Sequence, residues 1–217
     1  MASEPMRDPV TDPLLTPKNS TLIIIDYQPL QVTSIKSMDR DEMIRNIVAV
    51  AKIGRAFNLP IVHSTVNVKS GRNRPSIAQL RNVLGDLPTF DRTSINAWKD
   101  IEFVQAVKAA GRKKLIMTAL WTEACLTFPA LDALRAGYEV YAVADAVGGT
   151  SVVSACSGLA SHRAGRREID QRDAVDLRIA ARLDTHTNIE RCLWDPRRAI
   201  GSVRSRSRTD DACDLNN

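Results

Sequence analysis

The 217-residue chain has little of what metal or disulfide chemistry needs. Its four cysteines, at positions 125, 156, 192 and 213, form no CxxC pair, and its three histidines stand far apart. Neither a disulfide framework nor a zinc site is expected. No apolar run approaches the roughly 20 residues that span a bilayer, so no membrane partner is expected. The N-terminus, MASEPMRDPVTDPLLTPKNS, has no apolar core of a signal peptide, which predicts a cytoplasmic chain. Aromatic residues make up only 5% of the chain, and its basic residues are scattered among acids. The net charge of +5 therefore reads as a solvated surface, with no nucleic-acid partner.

What is present suits one domain. Residues 1–20 are polar and Pro-rich, and are expected to be a flexible lead. STLIIIDYQ follows as a continuous apolar run, the mark of a strand covered on both faces. DRDEMIRNIVAVAKIGRAF, residues 39–57, carries Met43, Ile47, Val48, Ala51 and Ile53 at helical spacing, with Asp39 and Asp41 favouring the helix dipole at its start. LPIVHSTV predicts a second strand, residues 76–84 a short helix, and PTFDR a brief third strand. KDIEFVQAVKAAG predicts a helix stopped by Gly111, KKLIMTAL the next strand, and TEACLTFPALDALRAG a helix stopped by Gly137. YEVYAVADA then predicts another strand. Strand and helix alternate, which predicts an α/β fold: a parallel sheet with crossover helices on both faces, Rossmann-like and three-layered.

In such sheets reactive groups gather beyond the carboxyl ends of the strands. Asp26 ends the first strand, Arg92 the third, and Cys125 follows the fourth. Each has an ordinary structural reading as a loop carboxylate, a surface cation or a packed thiol. Together they place a carboxylate, a cation and a thiol at one sheet edge. The carboxylate can take the thiol proton, while the cation and the turn N–H groups would favour a thiolate.

The stretches LIIIDYQ, FNLPIVHSTV, DRTSINAW and FVQAVKAAGRKKLIMTALWTEACLTFPALDALRAGYEVYAVADAVGGTS carry a family resemblance across roughly residues 20–151. The chain resembles the isochorismatase-like cysteine hydrolases. That resemblance implies a catalytic triad at Asp26, Arg92 and Cys125, with no metal and no organic cofactor. Most relatives have Lys at the basic position; arginine keeps the charge but cannot give up a proton, which leaves Asp26 as the base. Lys99 is the alternative cation. The resemblance also implies a cis peptide at Trp121–Thr122 and an oxyanion hole from the N–H groups of Ala124 and Cys125.

Nicotinamidases in the family add a metal site with histidines. Here only His63 lies nearby, inside a strand, where a core histidine is the expected reading. Isochorismatase proper lacks the cysteine, so Cys125 favours cleavage of a C–N bond in a small-molecule amide through a thioester. Tyr27, Trp98, Trp121 and Phe128 are candidates to line a pocket, with core packing as the alternative. Gln28 is a candidate to bind substrate or order the triad, with a backbone-satisfied loop amide as the alternative. Family relatives commonly assemble, so a homo-oligomer is a further expectation.

After residue 151 the chain changes character: no lysine follows Lys114, no Phe, Tyr or Met follows Tyr141, and arginine takes over. Residues 21–151 are expected to form the hydrolase domain, and 152–217 a divergent, irregular segment. Back-translating SACSGLASHRAGRRE and RDAVDLRIAARLDTHTN with GC-rich codons, one nucleotide out of register, gives text resembling the family's last helix and strand. A shift of frame near codon 152 is therefore an expectation, and with it comes a competing reading: a non-catalytic or unstable remnant.

Overall fold

The computed structural model describes residues 7–165. Five strands make one parallel sheet: β1 (Ser20–Ile25), β2 (Ile61–Val66), β3 (Thr89–Arg92), β4 (Lys114–Ala119) and β5 (Glu139–Ala142), in the order β3-β2-β1-β4-β5. β1 lies at the centre, with Ile25 opposite Ser64 of β2 on one side and Ala119 of β4 on the other. All six β1 residues are buried because both faces are covered. Leu22 and Ile24 join one core with Met43, Ile47, Leu80 and Leu84, while Ile23 and Ile25 join a second with Phe103, Val107, Ala130 and Ala133. The alternation of side chains along one strand thus feeds two layers of helix.

The first layer holds α1 (Pro29–Thr33), α2 (Arg40–Ala56) and α3 (Ala78–Leu84). Asp39 caps α2 by accepting from Glu42 N–H at 2.7 Å. The second holds α4 (Ile101–Ala109), capped by Asp100 onto Phe103 N–H, and α5 (Thr127–Arg135). Gly111 and Gly137 follow these two helices with φ of 65° and 82°, the left-handed conformation that ends a helix cheaply with glycine. The three-layer α/β prediction matches this architecture. No helix among the described residues is long and apolar enough to cross a membrane.

One expectation needs correction, that for residues 152–165. Residues 7–19 are tied to the sheet by hydrogen bonds. Asn19 Nδ2 donates to the Asp12 and Leu14 carbonyls, and Lys114 Nζ donates to the carbonyls of Asp12, Pro13 and Leu14. Residues 152–165 are not irregular: they form α6 (Val152–Gly165), which packs on the cysteine-bearing turn and on α5. Ser151 Oγ accepts from Ser154 N–H at 3.1 Å and starts the helix. Small residues then allow the approach, since a Cβ on Gly158 would lie 2.9 Å from the Thr122 carbonyl oxygen. Side-chain size, not apolar period, marks this helix. The expected irregularity of residues 166–217 falls outside the described residues.

Candidate active site

The end of β1 sets the first group. Asp26 adopts φ of 63°, a left-handed conformation that Asp tolerates better than most residues, and its N–H donates to the Ser64 carbonyl at 3.0 Å. The chain turns there, and the carboxylate sits fully buried.

Arg92, the last residue of β3, reaches it across an intervening strand. β2 separates β3 from β1, a span of about 9.6 Å at the usual strand spacing. Nη1 donates to Asp26 Oδ1 at 2.8 Å and Nη2 to Oδ2 at 2.7 Å, a two-pronged pair. On the way over β2, Nη1 also donates to Ser64 Oγ (3.0 Å) and the Thr65 carbonyl (3.1 Å), and Nη2 donates to the Ile95 carbonyl (3.0 Å). The small Ser64 leaves room for that crossing. Lys99 is exposed, so Arg92 is the cation at Asp26.

Cys125 comes from the turn after β4. Thr122–Leu126 wind as a single π-helical turn before α5 begins; Ala124 N–H and Leu126 N–H both donate to the Trp121 carbonyl, at 3.1 and 3.2 Å. Such wide turns recur at functional sites. The thiol lies within hydrogen-bonding reach of the Asp26 carboxylate and is 5% exposed. Asp26, Arg92 and Cys125 are therefore one buried cluster at the carboxyl edge of the sheet.

The electrostatics differ from a resting thiolate. Burial, with the facing Asp26 charge, pushes the Cys125 thiol up to about 12; the Arg92 charge and the Trp121 N–H oppose this without overcoming it. Burial likewise raises Asp26 above the usual carboxylate value, against the pull of Arg92. The thiol keeps its proton and faces the Asp26 side chain. Turn N–H groups and a nearby cation suggested the opposite, because neither the depth of the site nor the opposing carboxylate is visible in spacing.

Other expected positions fall differently. The cis peptide is Leu120–Trp121, one residue before the expected bond. The Trp121–Thr122 unit is held by the turn instead: the Trp121 carbonyl accepts from Ala124 and Leu126, and Thr122 N–H donates to the Gly148 carbonyl at 3.0 Å. With Ala124 N–H turned onto Trp121, that half of the expected oxyanion hole faces the turn itself. Tyr27 is fully buried in the α2 and α3 core and donates its hydroxyl to the Ala146 carbonyl at 2.6 Å. Trp98 packs edge-on to Phe103 and Tyr138 in the other core. Both aromatics pack within the helix layers, the core-packing alternative. Phe128 is 47% exposed on α5, and Trp121 donates Nε1–H to Ser34 Oγ at 2.6 Å.

Gln28 is a brace. Its Nε2 donates to the Val66 and Arg74 carbonyls, and its Oε1 accepts from Val66 N–H, leaving the amide satisfied by backbone. His63 is a core residue, with Nε2 2.8 Å from Ser76 Oγ and Nδ1 3.1 Å from Thr89 Oγ1. Among the described residues no group of three or more His, Cys, Asp or Glu side chains is placed to hold a metal ion. Ser64, Glu123 and the Gly148–Thr150 segment were not singled out from sequence; the paired glycines of GGTS were the available cue to a close backbone approach.

A family model, the isochorismatase domain, matches residues 20–171. The chain belongs to that family. Among curated relatives it is similar to the probable hydrolase YcaC of Escherichia coli (strain K12), 34% identical over 135 residues, 62% of this chain and 64% of that protein. The match thus spans less than two thirds of that relative's length. Among solved structures it is similar to YcaC from Pseudomonas aeruginosa, solved with hexane-2,5-diol and covalent acrylamide: TM-score 0.67, 33% identity, covering 71% of this chain and 77% of that one. The E. coli YcaC structure, described as an octameric hydrolase of unknown specificity, gives TM-score 0.67 and 30% identity over 71% of this chain and 76% of that one. Family membership extends twenty residues beyond the change in composition at 151, into α6 and past its end.

Proposed function

We propose that the chain is a cysteine hydrolase that cleaves the C–N bond of a small amide through a thioester on Cys125. The observation that carries this reading is the Asp26 carboxylate, gripped by both Arg92 nitrogens at 2.7 and 2.8 Å and within reach of the Cys125 thiol. A carboxylate raised by burial is a stronger proton acceptor than one in water, which suits a base working near neutral pH.

In the first half-reaction Sγ attacks the amide carbonyl carbon while its proton passes to Asp26. The C–S bond forms, and the carbonyl π electrons move to oxygen. Collapse of that tetrahedral species breaks the C–N bond as Asp26 gives the proton to the leaving nitrogen. Water then loses a proton to Asp26 and attacks the thioester; the C–S bond breaks, and the sulfur recovers the proton. Arg92 stays charged throughout and holds Asp26 in place. The Cys125 N–H, with the Ala124 N–H once it leaves the Trp121 carbonyl, would receive the oxyanion. The acrylamide bound covalently in the P. aeruginosa relative is itself a small primary amide and a thiol-directed electrophile, which supports thiol chemistry on small amides for this chain. The E. coli relative is described as an octamer, which makes a homo-oligomer the assembly to expect of this chain.

Ammonia release from a panel of small primary amides, by the native protein and by Cys125→Ala, tests the reading. Native turnover lost in the variant supports it. Turnover retained in Cys125→Ala would remove the cysteine from the reaction, and no turnover with any amide favours the non-catalytic remnant.

A further inference from the structure

The turn that carries Cys125 is held from outside as much as by its own winding. A strap of three residues, Gly148–Gly149–Thr150, lies against it. Gly148 accepts Thr122 N–H at 3.0 Å. Thr150 donates both N–H (3.0 Å) and Oγ–H (2.7 Å) to Glu123 Oε1. On its other side the strap meets the segment after α1: Gly149 N–H donates to Ser37 Oγ at 2.9 Å, and the Gly149 carbonyl accepts Lys36 N–H at 3.1 Å.

The fit is close on each side. A Cβ on Gly148 would come 2.9 Å from Ile35 Cγ2, and one on Gly149 would come 2.5 Å from Glu123 Oε2 and 2.9 Å from Ala155 Cβ. Glu123 therefore lies against the strap, with one carboxylate oxygen taking two donors and the other buried with no hydrogen-bond partner among the described residues.

We propose that Glu123 is a positioning residue: by locking the Gly148–Thr150 strap onto the π turn, it fixes the Cys125 sulfur against Asp26. This rests on the reading of Cys125 as the nucleophile. Two attachments, at Thr122 and at Glu123, fix the rotation of the turn as well as its place. The strap also joins the two halves of the site through backbone. Ser37 and Lys36 follow Asp26 on the same chain segment, and Thr122 and Glu123 precede Cys125. An anionic acceptor makes the Thr150 bonds strong ones, whereas the π turn itself shares a single carbonyl, that of Trp121, between two donors. A displacement of about 1 Å at a reacting atom costs on the order of 100-fold in rate.

Glu123→Ala, Glu123→Gln, Thr150→Val and Thr150→Ser are made in the full chain. Each is measured for kcat and KM on the best amide, for the pH profile of iodoacetamide labelling at the Cys125 peptide by mass spectrometry, and for thermal midpoint. Lys114→Met, at the far end of the sheet, controls for lost stability alone.

Glu123→Ala is expected to lower kcat at least tenfold with KM within twofold. Its labelling midpoint should move down toward the ordinary cysteine value as the sulfur drifts from the Asp26 charge. Glu123→Gln keeps the Oε1 acceptor and should stay within threefold of native, as should Thr150→Ser. Thr150→Val should fall between. A native kcat and labelling midpoint in Glu123→Ala would overturn the proposal, as would a rise in KM alone or the same midpoint shift in Lys114→Met. If Glu123→Ala does not fold, Thr150→Val against Thr150→Ser decides on the same two readouts. If no amide is turned over by the native protein, the hydrolase reading fails, and the labelling midpoint alone decides whether Glu123 positions the sulfur.

Discussion

Two buried cations sit at opposite ends of the same sheet, and their partners explain why one marks a site and the other a hinge-pin. At the amino end, Lys114 opens β4 and donates to three neutral carbonyls of the N-terminal segment; the half-exposed Glu139 carboxylate comes no closer than 4.0 Å. At the carboxyl end, Arg92 closes β3 and grips both oxygens of a buried carboxylate that in turn faces a thiol. Carbonyls cannot move protons. A carboxylate can, and burial has raised the proton affinity of both Asp26 and Cys125 so that they compete for one. Charge burial alone is thus no sign of chemistry; the proton acceptor beside it is.

The largest effect expected on stability comes from removing the cation at the carboxyl end. Arg92→Met leaves Asp26 buried without its partner and should cost about 3–5 kcal/mol in urea unfolding. Arg92→Lys keeps a charge but supplies one ammonium where the fork met two oxygens. It should cost less in stability while lowering amide turnover more than tenfold. Equal stability of Arg92→Met and native would break the contrast.

His63 sharpens it, being buried on β2 with two hydroxyl partners, Ser76 and Thr89, and no charged one among the described residues. Burial lowers it from 6.5 to about 4, so above pH 6.5 neither the folded nor the unfolded state is protonated there, and the folded state keeps its full stability. As pH falls from 6.5 to about 4 the unfolded chain takes up the proton and the folded chain does not. About 3 kcal/mol is expected to be lost across that window, at roughly 1.4 kcal/mol per pH unit. Urea midpoints of the native protein and His63→Gln at a series of pH values check this; the variant should show a flatter acid slope.

The smallest effect is expected at Lys114. Lys114→Met leaves three carbonyls short of a donor at the sheet's edge and should cost about 1–3 kcal/mol. kcat per folded molecule should stay at the native value. A tenfold fall in kcat would mean that the amino end is coupled to the site after all.

How much of this was legible in sequence follows from what each residue's neighbours are. The apolar run LIII within STLIII reads as a two-faced strand because burial on both sides leaves no polar alternation. Asp26, Arg92 and Cys125 stood out because strand ends in a parallel sheet converge on one edge, a property of the topology. Tyr27 and Trp98 stay open in sequence between pocket and core, because an aromatic facing core and one facing ligand look alike until its neighbours are placed. The sense of the thiol's shift was missed for the same reason: depth and an opposing carboxylate are tertiary facts. α6 was missed because residues such as Ala155 and Gly158 serve close approach, which leaves no apolar stripe to read.

The most direct measurement is an acid quench of the native protein during turnover of a small amide, followed by mass analysis of the peptide containing Cys125. The expected result is an added acyl group on Cys125, absent in Cys125→Ala and in Asp26→Asn. Steady ammonia release with no acyl group on Cys125, and undiminished in Cys125→Ala, would contradict a thioester mechanism at this site.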